Sequence, residues 1–327
     1  MTLQSLHIQE YKTNSGYVYD LEVTYQLFGP ALGTAPVVLV NHALTGNSQV
    51  TGAKGWWQDL IGDEKTIDTQ QFTILAINIP GNGYDRKQHN LIDNYKHFNN
   101  SDIAAIYYTV IQQLHIESIY AVIGGSLGGQ IAWELVIQQP KLVKHLIPVA
   151  SDWKATDWVI ACCYIQDQIL NNSVRPIEDA RAHAMTFYRT ATSFKKKFER
   201  SRNQKLDMYN VASWLQHHGN RLKERFNLQS YKLMNHLLGT SDCTRGTNNI
   251  LEALKEVSTH IHLIAIDSDQ LFYADEIRET YALLKENNHP VSYGEINSID
   301  GHDAFLIEFK QLERLVKPIF QNIPSLQ

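Results

Sequence analysis

Ile119-Tyr120-Ala121-Val122-Ile123 runs directly into Gly124-Gly125-Ser126-Leu127-Gly128-Gly129, and Gln130 to Gln139 continues as a helix-compatible stretch. An apolar strand, a turn of small residues and a helix, in that order, form the context of a nucleophile elbow. The small residues let the chain bend sharply and hold the Ser126 hydroxyl out at the carboxyl end of a sheet. Gly-x-Ser-x-Gly also occurs in ordinary turns, so the reading rests on what surrounds it.

A nucleophilic serine needs a base, and the base needs an orienting acid; behind an elbow of this kind they follow in the order serine, acid, histidine. His260-Ile261-His262-Leu263-Ile264-Ala265-Ile266 reads as a buried strand ending at Asp267-Ser268-Asp269. A helical stretch from Ala274 to Glu286, a short strand from Val291 to Ile296 and the loop Gly301-His302-Asp303-Ala304-Phe305-Leu306 follow. Asp269 and His302 each fall just beyond the carboxyl end of a strand, where ligands gather in open α/β sheets. Ser126, Asp269 and His302 are therefore the expected triad.

An oxyanion site needs two preorganised N–H donors. The amide of Leu127, next after the serine, supplies one. The second is expected from the loop Asn41-His42-Ala43-Leu44-Thr45-Gly46, which follows the strand Val37–Val40, with Leu44 as the donor. His42 reads as a residue that shapes this loop rather than as a second base.

Taken together these segments resemble the homoserine O-acetyltransferases, acyl-CoA-dependent members of the α/β-hydrolase fold. The similarity runs from Asn41-His42-Ala43-Leu44-Thr45-Gly46 through Gly55-Trp56-Trp57-Gln58-Asp59-Leu60-Ile61-Gly62, Ile67-Asp68-Thr69, the elbow and Ser268-Asp269-Gln270-Leu271-Phe272 to His302-Asp303-Ala304-Phe305-Leu306. The first and last of these are far more specific than the elbow. The resemblance implies transfer of an acetyl group from acetyl-CoA to the hydroxyl of L-homoserine through an acyl-serine, in the service of methionine biosynthesis. It implies acyl-CoA as a co-substrate with no other cofactor, and a homodimer formed through the lid helices. It also carries over an acceptor site: Arg181 and, seven residues on, Tyr188 in the lid, with Asp303 contacting the substrate ammonium. Seven residues is two helical turns, so both side chains point the same way, and the fork of an arginine suits a carboxylate.

The chain departs from that family in two places. Where relatives carry Gly-Gly-Cys-x-Gly-Ser-Thr-Gly-Pro, it reads Asn78-Ile79-Pro80-Gly81-Asn82-Gly83-Tyr84 and a polar loop through Asn100. In the lid, Asp167 stands in Gln166-Asp167-Gln168 where the family has an arginine, and the following loop, Asn171 to Pro176, is short. These changes leave open a succinyl donor, an L-serine acceptor, or a plain serine esterase on the same triad.

The 327 residues suit one α/β core with an insertion, and 43% hydrophobic with 19% charged residues is enough to bury it. Apart from the opening antiparallel hairpin (Leu3–Tyr11, Tyr17–Leu27), strands alternate with helices, which predicts a mostly parallel sheet flanked by helices. Residues 1–150 and 257–327 form the expected core. Residues 151–256, without strand signal, form the expected helical lid. Ser101 is the expected cap of a helix Asp102–Leu114, and Ala304–Ile319 the expected final helix. No run approaches about 18 apolar residues, so no membrane span is expected, and the opening residues lack the order of a signal peptide. Three cysteines make no disulfide framework; a cytoplasmic location follows.

Residues 151–245 carry 15 Lys/Arg against 9 Asp/Glu, so the rest of a chain with net charge −5 carries −11. A basic lid over an acidic core makes an approach field for a polyanionic donor such as coenzyme A. The densest run, Phe194 to Arg202, reads as a solvated helix face, not a nucleic-acid site. Among 14 histidines, His260 and His262 alternate on a strand and His217 and His218 are adjacent. Neither pair comes with the further ligands of a closed zinc site, and no metal is expected.

Overall fold

The computed structural model describes residues 2–321. Antiparallel pairing is confined to one edge of its main sheet. β1 (Gln4–Lys12) and β2 (Val18–Phe28) make the expected hairpin, β3 is Val37–Asn41, and β2 runs antiparallel to β4 (Thr73–Ile77). From β4 onward every pairing is parallel, through β3 to β5 (Ile119–Gly125), β6 (Val143–Val149), β7 (His260–Ile266) and β8 (Val291–Ile296). The order is β1-β2-β4-β3-β5-β6-β7-β8. It reverses at β3, with β4 on one side and β5 on the other, and the loops after β3 and β5 leave this point in opposite directions, the position where ligands gather in open α/β sheets.

β3, β4 and β5 are buried at every position, as their near-continuous aliphatic runs require of strands covered on both faces. On one face pack α1 (Asn100–Gln113) and α2 (Leu127–Gln138), with Ile103, Tyr107, Ile131 and Leu135 in the core. Asn99, not Ser101, caps α1. Its side chain accepts from the Asp102 amide while Asp102 accepts from the Asn99 amide, a reciprocal box that Ser101 cannot make from inside the helix.

The chain between β6 and β7 adds no strand to the sheet. It holds α3 (Asp157–Asn172), α4 (Pro176–Tyr188), α5 (Ala191–Phe198), α6 (Asn210–Lys223), α7 (Leu228–Gly239) and the single turn α8 (Ile250–Ala253). The expected absence of strands fails only at a ribbon of two residues a side, Arg202–Asn203 against Met208–Tyr209. α4 opens with Pro176 at its first turn and Glu178 and Asp179 beside it, where a fixed φ and negative charge suit a helix start; it packs on α6, and α3 on α7.

α9 (Ala274–Glu286) links β7 to β8. The expected C-terminal helix is in fact two pieces: a 3₁₀ turn, Gly301–Leu306, and then α10 (Phe309–Phe320). α10 covers the opposite face of the sheet with Leu312, Val316 and Phe320. No helix among the described residues is long and apolar enough to cross a membrane.

Candidate active site

Ser126 sits between β5 and α2 with φ 54° and ψ −125°, a conformation that costs a non-glycine residue about 1–3 kcal/mol. The surroundings hold it there. The Ser126 amide donates to the Val149 carbonyl at 2.9 Å, and the Ser126 carbonyl accepts from Gly129 and Gln130. The elbow closes because two glycines let backbones touch. A Cβ on Gly124 falls 2.4 Å from the Gly128 carbonyl carbon, and one on Gly128 falls 2.5 Å from the Asn41 carbonyl oxygen.

The Asn41 loop leaves β3 beside the elbow, with Asn41 in register with Gly124. His42 is wholly buried. Its Nδ1–H donates to the Ala43 carbonyl at 2.9 Å, while its Nε2 accepts from the Ile79 amide at 3.0 Å. Gly46 donates to the same Ala43 carbonyl. A trans peptide carries its C=O and N–H on opposite sides, so tying down the Ala43 oxygen turns the Leu44 N–H the other way. Among the described residues neither the Leu44 nor the Leu127 amide has a hydrogen-bond partner. Both ring nitrogens are thus engaged in holding this loop, and burial lowers the His42 pKa to about 4, leaving the ring a neutral strut.

Asp269 and His302 come from the loops after β7 and β8. The Asp269 Oδ1 accepts from the Leu271 and Phe272 amides at 2.7 and 3.0 Å, and its Oδ2 meets His302 Nδ1 at 2.7 Å. Ser268 Oγ accepts from the Gly301 amide at 3.2 Å, stitching the two loops together. Gly301 stands at φ +66°, and a Cβ there falls 2.8 Å from the Tyr188 carbonyl. The His302 ring is boxed by Tyr188, Phe272 and Phe305, with ring centres 5.5, 5.7 and 5.6 Å away. Its Nδ1 is engaged by Asp269, so its Nε2 is left for proton transfer. Ser126 makes no hydrogen bond to it in this resting geometry; such contacts often tighten only around substrate.

The helical insertion supplies the wall opposite. Tyr188 is buried, which pushes its phenol pKa up, and Arg181 lies over its ring at 5.5 Å. Among the described residues Arg181 makes no hydrogen bond and no ion pair. Burial pushes the Asp303 carboxyl above its ordinary value, against the pull of the Arg181, His302 and Arg189 charges. Arg189, which the sequence reading passed over, holds this corner. It donates to Ser193 Oγ at 2.8 Å, pairs with Asp300 and lies 4.0 Å from Asp303. Its only sequence signal was its place directly after Tyr188. Arg225 was also missed: it donates to the Thr45 carbonyl at 2.8 Å, tying the insertion to the Leu44 loop.

The two departures from the family meet in space. Tyr95, in the polar loop before α1, donates to Asp167 of α3 at 2.8 Å. One more expectation needs correction: His260 and His262 do have a further imidazole beside them, His145 of β6.

A serine raised on a strand–helix elbow at the switch point, with its acid and histidine on later loops, defines the alpha/beta hydrolase class, and the family model of the alpha/beta hydrolase fold matches residues 36–252. A homoserine O-acetyltransferase of Cyclobacterium marinum is 31% identical over 304 residues, 87% of this chain and 84% of that protein. The chain belongs to the homoserine O-acetyltransferase family. The structure of homoserine O-acetyltransferase from Staphylococcus aureus, 25% identical, superposes with a TM-score of 0.83 over 100% of this chain and 97% of that one. Esterase E22, 14% identical, shares the fold with a TM-score of 0.87 over 98% and 100% of the two chains.

Proposed function

We propose that this protein moves an acetyl group from acetyl-CoA to the side-chain hydroxyl of L-homoserine through an acetyl-Ser126 intermediate. The observation that carries the reading is Arg181, which lies over the Tyr188 ring and, among the described residues, makes no hydrogen bond and no ion pair, with the Asp303 carboxyl nearby. An α-amino acid brings a carboxylate for the first and an ammonium for the second, whereas a simple ester brings neither.

In the first half-reaction Ser126 Oγ attacks the thioester carbonyl and its proton passes to His302 Nε2. Asp269 fixes the imidazole tautomer and stabilises the imidazolium. The Leu44 and Leu127 amides hold the oxyanion. Collapse breaks the C–S bond, and His302 returns the proton to the departing thiolate. In the second, the homoserine hydroxyl gives its proton to His302 and attacks the acyl-serine; collapse of this second oxyanion breaks the bond to Ser126 Oγ, and His302 returns the proton to that oxygen. Transfer outruns hydrolysis when water is excluded, and the insertion, tied to the Leu44 loop by Arg225, serves as the lid. Acyl-CoA is a co-substrate, and the chemistry asks for no prosthetic group.

The test is thiol release from acetyl-CoA by the purified protein with and without L-homoserine, with Ser126→Ala as blank. Release that depends on homoserine is expected. Release indifferent to it supports a hydrolase, and release only with succinyl-CoA or only with L-serine reassigns donor or acceptor. A second reading concerns assembly and place: a cytoplasmic homodimer through the lid helices. An open apolar cavity of about 900 Å³ between α5 and the following ribbon, with Phe194, Phe198, Tyr209 and Val211 in its wall, supports that surface. Light scattering of the purified chain is expected to give twice the chain mass, and Val211→Asp to halve it.

A further inference from the structure

At the amino end of the sheet, remote from the loops that carry Ser126, three imidazoles from two strands meet. Parallel register sets His260 of β7 directly against His145 of β6, and His262, two residues on, shares their face. His145 Nδ1 lies 3.1 Å from His262 Nε2, and one ligand nitrogen from each of the three falls within 4.8 Å of the others. The His260 and His262 rings stack at 4.2 Å. They border a cavity of about 470 Å³ that also touches Tyr120, Ser292 and Leu315.

We propose that His145, His260 and His262 bind one late first-row divalent transition-metal ion, with solvent completing its coordination sphere. The chemistry of the donor set points to that class: three neutral nitrogen ligands, with no carboxylate or thiolate among them, suit zinc, nickel or copper and not magnesium or calcium. With metal–nitrogen bonds of about 2.0–2.1 Å, a 3.1 Å separation subtends about 100° at the metal, close to a tetrahedral edge. His260, half-buried on the open side, must swing its ring by about 1–2 Å to reach that edge of roughly 3.3 Å.

An outer partner is in place: Ser292 Oγ lies 2.7 Å from His262 Nδ1 and accepts its N–H once Nε2 is given to the metal. Besides the swing of His260, ligation needs this tautomer shift, and in His145 the ring proton moves to Nε2. The Lys144 ammonium, drawn over the Tyr120 ring at 5.2 Å, weighs further against ions held by charge alone.

The full-length protein, stripped with chelator, is titrated with Zn2+ by calorimetry beside His145→Ala, His260→Ala and Ser292→Ala, and its melting temperature is followed with Zn2+ and with Mg2+. The wild type is expected to bind one equivalent that both histidine variants lose, with Ser292→Ala weakened roughly tenfold to a hundredfold. Zn2+ is expected to raise the wild-type melting temperature and Mg2+ to leave it unchanged, because an ion bound only by the native state stabilises it. His260→Ala, altered at a half-buried edge, keeps the fold and its thiol-release activity. The proposal is overturned if zinc binds the histidine variants with unchanged stoichiometry, fails to bind the wild type, or shifts melting no more than Mg2+.

Discussion

The strain at Ser126 makes stability and activity separable. At φ 54° and ψ −125° glycine is at ease and alanine is not. Ser126→Gly is expected to unfold in urea about 1 kcal/mol later than the wild type with activity lost, and Ser126→Ala to lose activity with no such gain. Arg181→Ala is expected to leave acylation of Ser126 intact and to weaken use of L-homoserine roughly tenfold to a hundredfold, as removal of a charged hydrogen-bonding partner does; equal loss of both steps counts against its role. His42 offers a test in pH. Its folded pKa of about 4 lies below the unfolded value of about 6.5, so the unfolded chain binds the extra proton first. Stability is therefore whole above about pH 6.5 and falls as pH drops toward 4, by up to about 3 kcal/mol from this group. Urea unfolding between pH 7.5 and 4.5 is expected to show a shallower loss in His42→Gln than in the wild type; parallel curves contradict the strut.

At the scale of elements, the elbow needs Gly128, which lets α2 touch the end of β3, as well as Gly124. Gly128→Ala puts a Cβ 2.5 Å from the Asn41 carbonyl, where backbone must move. A loss of about 2 kcal/mol or more is expected by urea unfolding, with kcat falling as the Leu44 and Leu127 amides separate. The same locality explains what the sequence disclosed. Elbow, oxyanion loop, acid and histidine each occupy a few contiguous residues at a strand end, so their order and spacing carried them. What stayed hidden depends on contacts between distant segments. The Asn99–Asp102 box is a choice between neighbours that composition does not separate. The break between Leu306 and Phe309 follows from placing His302 on its own 3₁₀ turn. His145 joins His260 only through strand register, and Tyr95 reaches Asp167 only after the polar loop folds onto α3.

For the molecule as a whole, an insertion that is net positive over residues 151–245 faces a core that is net negative. Attraction of a polyanionic donor to such a surface is screened within about 10 Å at 0.1 M salt. The KM for acetyl-CoA is expected to rise several-fold between low and high salt while that for an uncharged acetate ester stays flat; equal dependence removes the steering role. The order in which the site works is the central claim, and intact-protein mass spectrometry tests it most directly. Mixed with acetyl-CoA and no acceptor, the protein is expected to gain one acetyl group, mapped to Ser126, and to lose it when L-homoserine is added, with O-acetylhomoserine appearing. A protein that stays unmodified without homoserine, yet yields O-acetylhomoserine when both substrates are present, contradicts it.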